Sequence, residues 1–117
     1  MDAEEIKKRQ RRLKRIFANI SSDKKKLVED LIQNAAFMEC TLIELQAEIR
    51  ENGPVTTSVN GNGFEVTSES AAQKSYNTTI NRYSSIIKQL TELLPDSKQD
   101  AVNRAGDSLA AFVLRGK

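Results

Sequence analysis

Two apolar stripes of matching period, separated by a stretch built on glycine and asparagine, constrain this chain more than anything else in it. In the first, Val28, Leu31, Ala35, Met38, Leu42, Leu45 and Ile49 recur at alternating spacings of three and four residues. In the second, Tyr76, Ile80, Tyr83, Ile87, Leu90 and Leu94 do the same. Such spacing sets every side chain of a run on one narrow face of a helix. Two stripes joined by a short connector bury each other by folding back. The expected fold is therefore mainly α: a long antiparallel helical hairpin with a short β-hairpin at its connection, preceded by a basic N-terminal helix. A two-helix hairpin has little core of its own, so the chain is expected to be oligomeric. Leu31, Met38, Leu42, Leu45, Tyr76, Ile80, Tyr83, Ile87 and Leu90 are the expected core and assembly residues. Leu27, Ile32, Phe37, Ile43, Ile86 and Leu93 lie beside the stripes. One partner helix cannot cover both sides, which calls for a further packing surface.

Local signals divide the chain into three parts: a basic helix within 1–22, the hairpin over 23–95, and a tail or short docking helix over 96–117. The first helix is expected from Ala3 to Ile20, with Ile6, Leu13, Ile16, Phe17 and Ile20 on one side. Ser21, Ser22 or Asp23 can cap the next helix, expected from Lys24 to Glu51. Asn52-Gly53-Pro54 stops it, glycine supplying a left-handed cap and proline ending the ladder. Residues 54–67 alternate as strands around Asn60-Gly61-Asn62-Gly63. Asn-Gly favours a tight hairpin turn with positive φ at both central positions, though the doubled pair leaves the register open. An isolated hairpin is marginal in water, so this one must lean on the helices or meet a neighbouring subunit. Ser68 can cap the third helix, which runs to Leu94 before Pro95.

Charge is sharply segregated behind a net of +2. Residues 1–26 hold ten basic side chains against four acidic, whereas residues 27–71 hold one basic against eight acidic. Lys7, Lys8, Arg9, Arg11, Arg12, Lys14 and Arg15 crowd the first helix, and Lys24, Lys25 and Lys26 continue the positive surface. Such a cluster can neutralise several phosphates at once, giving DNA affinity without base reading. The alternatives are a merely solvated face or an acidic protein partner.

Several function classes find no residues here. Histidine is absent, which removes the usual neutral-pH base and the commonest metal ligand. Glu39, Glu44, Glu48 and Glu51 make no defensible acid/base pair. Gly61 and Gly63 lack the strand-loop-helix setting and the lysine of a phosphate loop. Neither catalysis, a metal nor a cofactor is expected of this chain alone. Cys40 is the only cysteine, so no intrachain disulfide forms, and it reads as a buried or half-buried structural thiol. No apolar run approaches a membrane span and no signal peptide is evident, so a soluble, cytoplasmic protein is expected.

The order of local wording resembles one family. A basic helix leads into Asp23-Lys24-Lys25-Lys26-Leu27-Val28, then Leu31-Ile32 and Asn34-Ala35-Ala36-Phe37-Met38. Thr41-Leu42, Glu44-Leu45-Gln46 and Glu51-Asn52-Gly53 follow, and the Asn-Gly turn comes next. Lys74-Ser75-Tyr76-Asn77-Thr78 opens the third helix, and Tyr83-Ser84-Ser85-Ile86-Ile87-Lys88-Gln89-Leu90-Thr91-Glu92-Leu93-Leu94-Pro95 closes it. This wording, over about residues 10–95, is similar to the small terminase subunits of tailed bacteriophages and prophages. The resemblance implies a non-catalytic DNA-packaging factor that assembles as a ring. It would bind viral double-stranded DNA and present it to the large terminase subunit, in the cytoplasm of a bacterial host. A separate N-terminal helix-turn-helix, carried by several members, is not evident, which favours backbone contacts. The tail near Leu109, Phe112 and Val113 would dock the large subunit. A small helical nucleic-acid-binding regulatory protein, or a structural adaptor of prophage origin, is the rival reading.

Overall fold

A computed structural model of the chain describes residues 2–95. The 96–117 segment, with Leu109, Phe112 and Val113, lies outside them. Helix α1 spans Ala3–Ile16. A 3₁₀ turn at Ser22–Lys24 leads into α2, Lys25–Asn52. Strands β1 (Val55–Val59) and β2 (Glu65–Glu69) form an antiparallel ribbon, and α3 spans Ala71–Glu92. The mainly helical hairpin expected from the stripes is present, with the ribbon at its connection.

The caps explain the boundaries. Asp2 Oδ1 accepts from the Glu5 backbone N–H at 2.9 Å and starts α1, with Glu4 and Glu5 complementing the helix dipole. Helix α1 ends at Ile16, short of Ile20. None of Ser21, Ser22 and Asp23 caps α2 with its side chain; the chain turns through 3₁₀ geometry, Lys24 N–H donating to the Ser21 carbonyl at 3.1 Å. At the far end Gly53 takes a positive φ of 83° and its N–H closes on the Ile49 carbonyl at 2.7 Å. Ser70, not Ser68, caps α3, its hydroxyl accepting from Gln73 N–H at 3.0 Å. Ser68 is taken by the ribbon, paired with Thr56.

The turn also differs from expectation. Gly63 alone among its residues has positive φ, at 81°. Gly63 N–H donates to the Asn60 carbonyl, and the Asn60 side chain accepts from Asn62 N–H and Phe64 N–H at 2.9 and 3.1 Å. One left-handed glycine after a tight turn is the glycine-bulge solution to a longer hairpin loop. It settles the register as Val55 with Glu69 through Val59 with Glu65. Both strands are exposed along their whole length rather than leaning on the helices.

The core runs along the helices. Ala35, Leu42, Tyr83, Ile87, Leu90 and Leu94 from the two stripes are buried, while Val28, Leu31, Met38, Tyr76 and Ile80 pack half-buried against them. Leu45 and Ile49 are also half-buried. Off-stripe Ile32 and Ala36 join the same cluster with Leu13 of α1 and Phe17 just beyond its end. Part of the extra packing surface is therefore α1 itself. Cys40 is buried, as its helical position suggested. Leu27, Phe37 and Ile43 stay exposed, Leu27 and Phe37 by about half.

Candidate nucleic-acid interface

Helix α1 has two chemically opposed faces. At 100° per residue, Ile6, Leu13, Ile16 and Phe17 share one side. Lys7, Lys8, Arg11, Lys14 and Arg15 fall within an arc of about 120° on the other, and all five are exposed. Burial of Leu13 and Phe17 in the core fixes which way the cations point. Lys24, Lys25 and Lys26 are exposed as well. Lys25 and Lys14 line the same cleft, of about 420 Å³, whose floor is Phe17, Ile20, Val28 and Ile32. The two basic segments thus meet across that cleft. Lys26 also sits 3.5 Å from Asp30 in an exposed pair, which a competing polyanion displaces at little cost.

Arg9 and Arg12 do not belong to this outer face. Arg12 is half-buried and already engaged. Arg9 turns inward: its Nη1 donates to Glu39 Oε1 at 3.0 Å, and its Nε to Glu5 Oε1 at 3.4 Å. Glu39 is fully buried on α2, and its other oxygen accepts the Tyr83 hydroxyl of α3 at 2.7 Å. One carboxylate thereby ties three helices together. A second cross-hairpin bond runs from Gln46 Nε2 to the Tyr76 hydroxyl at 3.2 Å.

The electrostatics of this junction follow from burial. Desolvation pushes the Glu39 carboxyl above its ordinary value, opposed by the hydrogen bonds from Tyr83 and Arg9 and by the charges of Arg9 and Arg12. Burial, then the neighbouring Glu39 charge, drives the Tyr83 hydroxyl far above its usual range, so it stays a donor. Burial alone would lower the Arg9 pKa, but the Glu39 contact outweighs it and the net shift is upward. No buried side-chain polar atom among the described residues lacks a partner. With its buried polar atoms partnered, the junction ties α1 to both helices of the hairpin.

By composition Arg9 counts with the DNA-contacting cations, and Glu39 is one of four carboxylates that form no acid/base pair; the structure pairs the two. The missed signal was positional. Glu39 lies four residues after Ala35 and three before Leu42, with Cys40 beside it, so a carboxylate interrupts an otherwise apolar surface. Among the described residues, no group of acidic or cysteine side chains is placed to hold a metal ion, and no helix is long and apolar enough to cross a membrane. No family model, curated protein or solved structure matches the chain.

Proposed function

We propose that this chain is the small, non-catalytic subunit of a phage genome-packaging terminase. It binds double-stranded viral DNA along the outer face of α1, assembles as a ring, and presents the DNA to the large subunit. One observation carries the DNA reading: Lys7, Lys8, Arg11, Lys14 and Arg15 stand exposed on one face while the opposite face of the same helix is locked into the core. A helix anchored in this way offers a rigid row of cations to successive phosphates. A row of exposed cations of this kind suits contacts to the phosphate backbone rather than to base edges. The exposed Leu27, Phe37 and Ile43 on α2 supply apolar surface for packing between subunits.

Duplex binding measured by fluorescence anisotropy across a salt series tests this. Five phosphate contacts give a slope of about −4.5 in log affinity against log salt. The triple change K8E, R11E and R15E should abolish binding at moderate salt while native mass by light scattering is unchanged. Binding that survives the triple change sinks the proposal.

A further inference from the structure

We infer that β1 pairs edge to edge, antiparallel, with β1 of a second copy of this chain, giving a four-stranded sheet across a two-fold axis. The inference rests on the self-association part of the reading above and is independent of the DNA part.

Backbone direction decides which groups reach the free edge. Asn60 N–H donates to the Phe64 carbonyl at 2.9 Å, and Ser70 N–H to the Pro54 carbonyl at 2.9 Å, at the two ends of the ribbon. Hydrogen-bonded pairs in an antiparallel ladder recur at every second residue. Thr56 and Ser58 therefore spend their backbone groups on β2. Val55, Thr57 and Val59 present theirs to the free edge. The close approach of Thr57 and Thr67, Oγ1 to Oγ1 at 3.2 Å, fits a pair without mutual backbone bonds.

The sequence of that edge, Val55-Thr56-Thr57-Ser58-Val59, reads almost identically in both directions. A two-fold axis at Thr57 sets Val55 against Val59 of the second copy, and Thr57 against itself. All three outward-facing residues then find outward-facing partners. The valines, 51 and 68% exposed in one chain, cover each other. Isologous contacts require this self-complementarity.

Charge selects the strand. Edges are normally guarded by charged side chains, proline or bulges. Strand β2 carries Glu65 and Glu69, and pairing it with its own copy would oppose them twice. Strand β1 has no guard of any of these kinds. Pairing β1 with β2 of a neighbour is also disfavoured. Val55 and Val59 already face Glu69 and Glu65 across the ribbon, and a second glutamate would strand each valine between two carboxylates. A two-fold contact added to a ring makes the particle dihedral, with an even number of subunits.

Two proline variants separate the edges, since the donor each removes points outward and no β1–β2 ladder bond is lost. Light scattering should show T57P at half the native mass of the wild type and T67P at the full mass. Helical circular dichroism should stay unchanged in both, because the ribbon is outside the core. In a C40A background, T57C should oxidise to a covalent dimer, residue 57 and its copy lying about 5.5 Å apart at Cα, while T67C should not. A mass loss in both proline variants would mean β1-to-β2 pairing and overturn the inference. No loss in either would leave the ribbon unpaired and overturn it equally. A monomeric wild type would remove the self-association reading together with this one, whereas DNA binding that survives in the triple variant would sink the DNA part alone and leave this inference standing.

Discussion

The junction at Glu39 and the ribbon at Thr57 solve the same problem in opposite ways. Both contain backbone or side-chain polar groups that must find partners. At the junction every partner comes from within the chain: Arg9 from α1, Tyr83 from α3, and both carboxylate oxygens used. In the ribbon, half of the backbone groups face outward and the apolar side chains Val59 and Phe64 are more than two-thirds exposed. The contrast teaches where cohesion resides. Helix packing holds the fold together, and the ribbon is left with an uncovered outer edge.

The largest test of this contrast is removal of the carboxylate. Glu39→Ala strands a guanidinium and a hydroxyl in the core, which should cost about 3–5 kcal/mol in urea unfolding followed by helical circular dichroism. A loss below about 1 kcal/mol would show Arg9 escaping to water and the junction to be dispensable.

Next comes pH. The folded-state pKa of Glu39 lies above its ordinary value, so folding favours the protonated form. The stability it contributes is fully present below the ordinary carboxylate range and is lost as pH rises through the raised folded value. Glutamine cannot ionise. Glu39→Gln should therefore gain on the wild type as pH goes from acidic to neutral, measured by urea unfolding of both proteins at stepped pH. A variant that loses ground instead would show that the Arg9 pair outweighs burial. The smallest effect belongs to the ribbon. Phe64→Ser should change helix unfolding by less than about 0.5 kcal/mol; a larger change would mean that the ribbon supports the core after all.

Much of the helical architecture was legible because period is a property of many residues at once. Leu42, Tyr83, Ile87 and Leu90 sit in the core where their spacing placed them. Single-residue signals transferred less well. Ser68 is as good a cap as Ser70 by composition, and only the strand register decides between them. Asn60-Gly61 and Asn62-Gly63 are equivalent as dipeptides, yet only Gly63 takes positive φ, because the Asn60 side chain organises the longer loop. Arg9 is one cation among seven on paper. Its inward turn depends on Glu39, thirty residues away, a relation that periodicity cannot express. The apolar side of α1 already points Lys7, Lys8, Arg11, Lys14 and Arg15 outward; the pair with Glu39 adds that Arg9 is withdrawn from them.

The lone cysteine gives this arrangement an internal gauge. Cys40 is buried on α2, and the Arg9 and Glu5 charges of α1 act on its thiol. Burial pushes its pKa up, so it is a poor nucleophile while α1 is seated. Any event that lifts the basic helix off the hairpin exposes the thiol, and the rate of alkylation then reports how often the helix opens. DNA that grips α1 in its seated position would slow that clock, and DNA that peels the helix away would quicken it.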